Sequence, residues 1–431
     1  MPIHIQPQIT LFKDVSLAKI QWLNKLNKYR TLIDHKLHKI KVDSNPATHQ
    51  ISNLTKKRFE LMTTALKSQK NEIQLLLEPF KLENIFQDIS VAKVLAERVP
   101  SEQHVLSYFN NIFRDWAWST NENYVSLEIL KKVWPSSKTE ELIVLGSGAG
   151  RLAYDLALNK MATDFKLVDI NPLLLSVSQK MWSGESFELT EINEFPLTQD
   201  NKKKKWALKT PDSDFKSTES KIESETDSEI NVTHIWGDAI NLPFKAESLT
   251  SILTPWFIDI IPEDFFQFAK RLNSRMRDGA TWINFGPLGF GSPERGSSYT
   301  KEEIEQILDL AGFKIEASEE QFMTYLHSPL SSQKREEKVL AWRAKKIKKM
   351  VAPKDFENYP SWVTNTSEAI PLSPEFQNIA SQSQLELQIL LSIDGRRSIT
   401  DIVKLMTEHL KLSDSDATTI LLTYFSNYFE K

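Results

Sequence analysis

Three glycines, Gly146, Gly148 and Gly150, follow an apolar run in Val144-Leu-Gly-Ser-Gly-Ala-Gly-Arg-Leu-Ala-Tyr-Asp-Leu-Ala157. Glycine at these positions serves a ligand, because without a Cβ the backbone turns sharply and admits a bound group. Helical periodicity begins directly behind the loop, so a helix N-terminus offers free N–H groups to a polar or negative ligand. Two acidic residues close later apolar runs. The run FKLVDI carries Asp169, about twenty residues after the loop, where a carboxylate accepts from both hydroxyls of a ribose. In His234-Ile-Trp-Gly-Asp238 the acid stands where it accepts from an adenine amino group.

The glycine spacing separates cofactors. A dinucleotide loop favours G-x-G-x-x-G, with a pyrophosphate at the helix end. Here the pattern is G-x-G-x-G, the form typical of methyltransferases, in which the methionine part of S-adenosyl-L-methionine lies over the loop. The candidate cofactor residues are Arg114, Gly146, Ser147, Gly148, Gly150, Arg151, Asp169, Asn171, Asp238 and Ala239. Each has a structural alternative: a glycine loop is also a tight turn, and an Asp after a strand is also a helix cap. Arg114 and Arg151 could meet the cofactor carboxylate, and Arg151 could equally pair with a surface acid. Order and spacing together argue for the ligand.

The elements that hold these residues are legible in outline. A chain of 431 residues is expected to form two or three domains. With 40% hydrophobic and 26% charged residues it has an ordinary globular core. A net charge of −4 gives no basic surface, so no nucleic-acid partner is expected. The chain has no cysteine, which excludes disulfides and thiolate chemistry, and its eight histidines lack H-x-x-x-H spacing, so no metal is expected. No secretory signal and no bilayer-length apolar run are present, which points to a soluble, cytoplasmic protein without a membrane partner.

Residues 1–135 read as a helical N-terminal region, with one stripe formed by Ile51, Leu54, Leu61, Met62, Ala65, Leu66, Ile73, Leu76 and Leu77. Over 136–350 short apolar runs alternate with helical stretches, the pattern of a mostly parallel sheet with helices on both faces. A polar stretch at about 198–229, including Lys202–Lys205, reads as an insertion, largely loop. Residues 351–383 read as a linker. A small unit, 384–431, follows, with helical stripes at Leu387, Leu390 and Leu391, at Ile402, Val403 and Met406, and at Ile420, Leu421, Tyr424 and Phe425. Its pattern is winged-helix-like. The fold class is α/β: a class I, Rossmann-like methyltransferase sheet with a helical N-terminal region and this C-terminal unit.

Beyond the glycine loop, the sequence resembles the carnosine N-methyltransferase family over about residues 100–345. The resemblance rests on VLGSGAGRLAYDLA with its Arg151, on Arg114-Asp115-Trp116 followed by Glu122 and Tyr124, and on Trp256-Phe-Ile-Asp259, similar to a family F-F-I-D. Asp278-Gly-Ala-Thr-Trp-Ile-Asn-Phe-Gly-Pro-Leu288 is similar to P-G-G-x-W-I-N-x-G-P-L, and Tyr299, ILDLAGFKIE and Thr324-Tyr325 also fit. The resemblance implies methyl transfer to an imidazole nitrogen of a histidine-containing peptide or small molecule. It makes Asp259, Asn284, Tyr299 and Tyr325 candidate catalytic residues.

Asp259 has an alternative as a helix N-cap, with Pro262 near the first turn. Asn284 could face the substrate or stitch the fifth strand's loop. Two features depart from the family: SSQKREEKVLAW lacks its tyrosine cluster, and the family does not require a unit like 384–431. That unit raises a second reading, in which it delivers a larger peptide or protein. A third is a non-catalytic cofactor-binding protein. Oligomeric state is not legible.

Overall fold

Alternating apolar runs do form a sheet flanked by helices in the computed structural model. It describes residues 9–11, 16–45, 51–82, 107–136, 139–211, 230–242, 244–261, 263–291, 296–354, 361, 365, 367–371, 373–394, 396–410 and 412–429. The N-terminal region supplies β1 (Ile9–Leu11), α1 (Ser16–Asp43), α2 (Asn53–Leu77), α3 (Ser107–Trp116) and α4 (Glu122–Val133). There follow β2 (Thr139–Leu145), α5 (Arg151–Leu158), β3 (Ala162–Asp169), α6 (Pro172–Trp182), β4 (Phe187–Ile192), β5 (Lys203–Leu208) and β6 (Asn231–Trp236). The run continues with β7 (Leu249–Pro255), α7 (Phe265–Arg275), β8 (Met276–Gly286), α8 (Lys301–Leu310), β9 (Phe313–Tyr325) and β10 (Arg335–Lys346).

Among the described residues eight strands form one sheet, in the order β1-β6-β3-β2-β7-β8-β10-β9. From β6 to β8 neighbours are parallel. Strand β10 runs antiparallel to both β8 and β9. The chain winds outward from β2 through β3 to β6, then returns to β7 on β2's other side. That reversal is a topological switch point, and ligands of open α/β sheets bind outside the carboxyl ends of the strands there. This is the class I methyltransferase order. Leu142, Ile143, Val144 and Leu145 of β2 are all buried, as a strand covered by helices on both faces requires.

The N-terminal helices are a layer of the same compact unit, Met1–Glu357. The indoles of Trp22 and Trp236 each donate to the carbonyl of Ile170, both at 2.9 Å. The amide of Gln69 donates to Thr190 O at 2.9 Å, and Phe80 sets its edge against Trp236. Strand β1, too short to show any period, extends the sheet beside β6 within the region read as helical.

Three further elements differ from the sequence reading. The polar stretch is not simply loop: Lys203–Leu208 forms β5, antiparallel to β4. Its lysines are held on the hairpin surface, Lys205 on Glu188 at 2.7 Å and Lys204 at 3.5 Å from the ring of Trp206. Residues 212–229 of that stretch lie outside the described residues. Strand β9 escaped because KIEASEEQ carries charge on its exposed alternate positions; β10, not read as a strand either, buries Val339, Leu340, Ala341 and Trp342 in succession, so both of its faces are covered. The C-terminal unit, Asn358–Lys431, contains α9 (Pro374–Ser392), α10 (Ile399–Leu410) and α11 (Asp414–Phe429) around Ile389, Ile402, Met406 and Leu421. Helix α9 begins inside the segment read as linker, on a proline suited to a first helical turn. Among this unit's described residues there is no strand, so they contain no wing. Among the described residues no helix is long and apolar enough to cross a membrane.

The helix after β7 is capped by Asp264, not Asp259. One oxygen of Asp264 accepts from the N–H groups of Phe266 and Gln267, at 3.0 and 3.2 Å, and the other accepts from the Tyr299 hydroxyl. Asp264→Ala should therefore lower the unfolding free energy by about 1–2 kcal/mol in urea denaturation, and Asp264→Asn by much less. An Asp264→Ala variant as stable as wild type would show that the cap carries no stability.

Candidate active site

The glycine loop leaves the carboxyl end of β2 and is fixed by β3. The N–H groups of Gly146 and Ser147 donate to Val168 O at 2.9 and 3.1 Å. The Gly148 N–H donates to Asp169 Oδ2 at 2.7 Å, and the Asn171 N–H donates to Asp169 Oδ1 at 2.7 Å. Asn171 in turn caps α6, its Oδ1 accepting from the Leu173 and Leu174 N–H groups. Burial pushes the Asp169 carboxyl up to about 6, against the pull of these N–H bonds toward the ionised form.

A cavity of about 400 Å³ opens at this edge of the sheet. Gly146, Ser147, Gly148, Asp169, Asn171, Asp238, Ala239 and Arg114 line one side. Two buried polar atoms here, Ser147 Oγ and Asn171 Nδ2, have no partner within the protein. Orphaned groups of this kind cost stability unless a ligand satisfies them. A Cβ built at Gly148, whose φ is +59°, would meet nothing within 4 Å, so the loop presents open space. Asp238 accepts from the Ile240 N–H at 2.9 Å, which fixes its carboxylate at the end of β6. Arg114 is held by Asp115 at 2.7 Å. Acceptors for hydroxyls, unsatisfied donors and a glycine cradle together suit a nucleoside carrying a zwitterionic side chain, which is what S-adenosylmethionine is.

Two expected cofactor residues are not brought to the cavity. At Gly150 a Cβ would stand 2.0 Å from Ser178 Oγ, so glycine is needed there to let α6 approach the loop. Arg151 turns to Asp155, one helical turn on, at 2.8 Å, donates to Asp115 O at 2.6 Å, and lies over the ring of Trp116. Its role is to join α3 to α5.

The same cavity is also lined by Trp256, Phe257, Asp259, Tyr325, Arg335 and Glu337. Asp259 Oδ2 accepts from the Gly289 N–H at 3.0 Å, and a Cβ at residue 289 would lie 2.8 Å from that oxygen. Burial raises the Asp259 carboxyl above its ordinary range. Trp256 holds a φ of +51°, a strained conformation for a bulky residue and a mark of functional sites. Its ring stacks on Tyr325 at 4.4 Å between centroids, and the Arg335 guanidinium lies over the Tyr325 ring, 5.2 Å from its centroid.

Asn284 and Tyr299 do not join this group. The amide of Asn284 lies 2.9 Å from Thr254 Oγ1 and is fully buried between β7 and β8, where Trp282 Nε1 also donates to Thr254. Tyr299 spends its hydroxyl on the cap residue Asp264 and packs against Phe290 and Phe265. The sequence reading missed Tyr108, Asn111, Asn123, Trp256, Arg335 and Glu337 as lining residues. For Arg335 and Glu337 a signal existed: spacing of two places both on one face of a strand.

A family model described as carnosine N-methyltransferase matches residues 92–348. No curated protein matches the chain. Among solved structures, phosphoethanolamine N-methyltransferase 2 of Haemonchus contortus is 16% identical, covering 60% of this chain and 61% of that one at a TM-score of 0.35. A SAM-dependent methyltransferase of Methanosarcina mazei is 12% identical, with 51% and 97% covered and a TM-score of 0.32. A SAM-dependent methyltransferase of Leishmania major is 11% identical, with 56% and 81% covered and a TM-score of 0.34.

The two glycines should fail differently. Gly148→Val puts a β-branched residue at a positive φ and fills the open cradle, so S-adenosylhomocysteine binding should be lost in calorimetry. Gly150→Ala should instead lower the melting temperature, because its Cβ collides with α6. Cofactor affinity unchanged in Gly148→Val would move the cofactor away from the loop.

Proposed function

The chain belongs to the carnosine N-methyltransferase family and is an S-adenosylmethionine-dependent methyltransferase, and we propose that its acceptor is an imidazole nitrogen of a histidine-containing peptide or small molecule. The observation that carries this reading is Asp259: a half-buried carboxylate, fixed through one oxygen by the Gly289 N–H, on the wall of the cavity that the glycine loop also lines.

An imidazole has one ring nitrogen with a free lone pair and one carrying hydrogen. With Oδ2 held by Gly289, Asp259 has its other oxygen for the ring N–H. Accepting that hydrogen bond selects the tautomer whose opposite nitrogen attacks. It also offsets the positive charge that spreads over the ring as the new N–C bond forms. The proton on the first nitrogen can then pass to the carboxylate, leaving a neutral methylated ring. A raised carboxyl pKa suits Asp259 to take it. Ser147, Gly148, Asp169, Asn171, Asp238 and Arg114 would hold S-adenosylmethionine, which supplies a methyl group already activated by its sulfonium. Stacked Trp256 and Tyr325 provide a flat aromatic wall beside the acceptor. The rest is positioning.

Asp259→Asn tests the acceptor side. The amide oxygen would take the Gly289 N–H, leaving an NH₂ group toward the substrate, the wrong polarity for a ring N–H. Turnover with carnosine should fall on the order of a hundredfold, with S-adenosylhomocysteine affinity nearly unchanged. Turnover within twofold of wild type would remove Asp259 from the reaction.

A further inference from the structure

The net charge of −4 averages over an uneven distribution. Helices α1 and α2 together carry twelve Lys and Arg against four Asp and Glu. The two run antiparallel, since Asp34 meets Lys70 at 2.7 Å while the Glu72 charge acts on Tyr29. Buried residues stop at Ile33 in α1 and begin at Ala65 in α2, so the far ends of both are largely solvated. Lys28, Lys36, Lys39, Lys41, Lys56 and Lys57 are all exposed, and among the described residues none of the six has a carboxylate within 4.0 Å. Surface lysines elsewhere do have one: Lys132 on Glu319, Lys180 on Glu185, Lys205 on Glu188 and Lys338 on Glu320. Lys25, Lys28, Lys36 and Lys39 are spaced near whole helical turns and so share one side of α1 over about 20 Å. Like charges three residues apart lower a helix's stability. Burial, and then the charge of Lys28, holds the Lys25 ammonium below its ordinary range. The fold thus retains an uncompensated cationic row that weakens it.

We propose that α1 and α2 form a sequence-independent docking surface for the phosphate backbone of a duplex nucleic acid. A duplex presents about one phosphate per 1.7 Å of its axis, so a row of ammonium groups about 20 Å long meets several at once and releases their counterions. Ten of the twelve cations are lysines, compact point charges that suit an array of phosphates, whereas paired contacts to base edges draw on arginine. Single strands are held by stacking on exposed aromatic rings. The two helices offer none: Trp22 and Tyr29 are buried, and Phe59 is half-buried with the Arg58 guanidinium over its ring. A helix lying in a membrane surface needs a free apolar face, and the stripe of α1, formed by Trp22, Leu26, Tyr29 and Ile33, is buried in the core. None of the basic side chains of α1 and α2 lines the cofactor cavity, so this surface can be altered without touching the cofactor.

Fluorescence anisotropy of the full-length protein reads this directly, with labelled RNA and DNA duplexes of about 20 base pairs, each in two unrelated sequences. The wild type should bind in the micromolar range at about 50 mM salt, alike for both sequences, and about a hundredfold more weakly at about 200 mM. The two duplex types distinguish RNA from DNA as the source of the phosphates. K36E/K39E/K56E/K57E should bind at least about tenfold more weakly than wild type. K314E/K345E/K348E/K354E makes the same change in net charge on exposed lysines outside these helices, and should stay within about threefold of wild type. S-adenosylhomocysteine affinity checks that both variants are folded. K36Q/K39Q, a milder change, should lower the slope of log affinity on log salt by about two, and keeps the test decisive if the first variant is unstable. No duplex binding at low salt, equal loss in the two fourfold variants, an unchanged salt slope in K36Q/K39Q, or a preference for one sequence would overturn the proposal. So would tighter binding to phosphatidylserine vesicles or to polyglutamate than to either duplex.

Discussion

The buried carboxylate of Asp169 is the constraint on which the site depends. Its two oxygens each accept a backbone N–H, from Gly148 and from Asn171, and so lock the glycine loop after β2 to the start of α6 after β3. Burial makes the charged form costly, and the group's ordinary range is shifted up to about 6. Ionised, the carboxylate accepts strongly from both N–H groups; protonated, its hydroxyl oxygen would be the weaker acceptor for the N–H it faces. The charge is therefore retained near neutral pH at a cost to stability, and a ligand's hydroxyls can share it. Around this point the protein adds the capping amide of Asn171 and the indoles of Trp22 and Trp236, which converge on Ile170 O directly after the carboxylate. The N-terminal helices are thus part of the cofactor side's support, which explains why they do not form a separate compact unit.

The acceptor side is built by different means. Asp259 is held by a glycine N–H from the segment after β8, Trp256 by a strained turn at the end of β7, and Tyr325 by the end of β9. Glu122, buried at the start of α4, accepts from the N–H groups of Leu326 and His327 at 2.8 and 3.0 Å and so fixes the chain just after Tyr325. Glu191 adds a second anchor, accepting from the indoles of Trp118 and Trp206 and from the Ser328 hydroxyl. Two buried carboxylates therefore tie the turn between β9 and β10 to α4 and to the β4–β5 hairpin. That turn delivers Arg335 and Glu337 to the cavity.

This division explains what was legible in the sequence. The cofactor side is local: strand, loop, helix, strand and acid follow one another within a few dozen residues, so Gly148, Asp169 and Asn171 could be read from spacing. Gly150 and Arg151 sit in the same motif but answer to Ser178 and Asp155, partners that a motif pattern does not encode. Asn284 has a substrate-like residue type, yet its strand position turns it into the sheet beside Trp282, toward Thr254. The proposed acceptor side depends on β9 and β10; charge on the exposed alternate residues of β9 hid that strand, so Arg335 and Glu337 on β10 had no visible neighbour. Asp259 was singled out through the F-I-D element, and its cap alternative fell only when α7 proved to start after Asp264.

The most direct measurement is the location of the transferred methyl group. The protein is incubated with methyl-labelled S-adenosylmethionine and carnosine, and the product is resolved by mass spectrometry and proton–carbon NMR. Label on one ring nitrogen only is the expected result, since Asp259 can hold a single tautomer. Label on the amine or the carboxylate, label divided between both ring nitrogens, or no transfer to carnosine or to any histidine-containing peptide would contradict it.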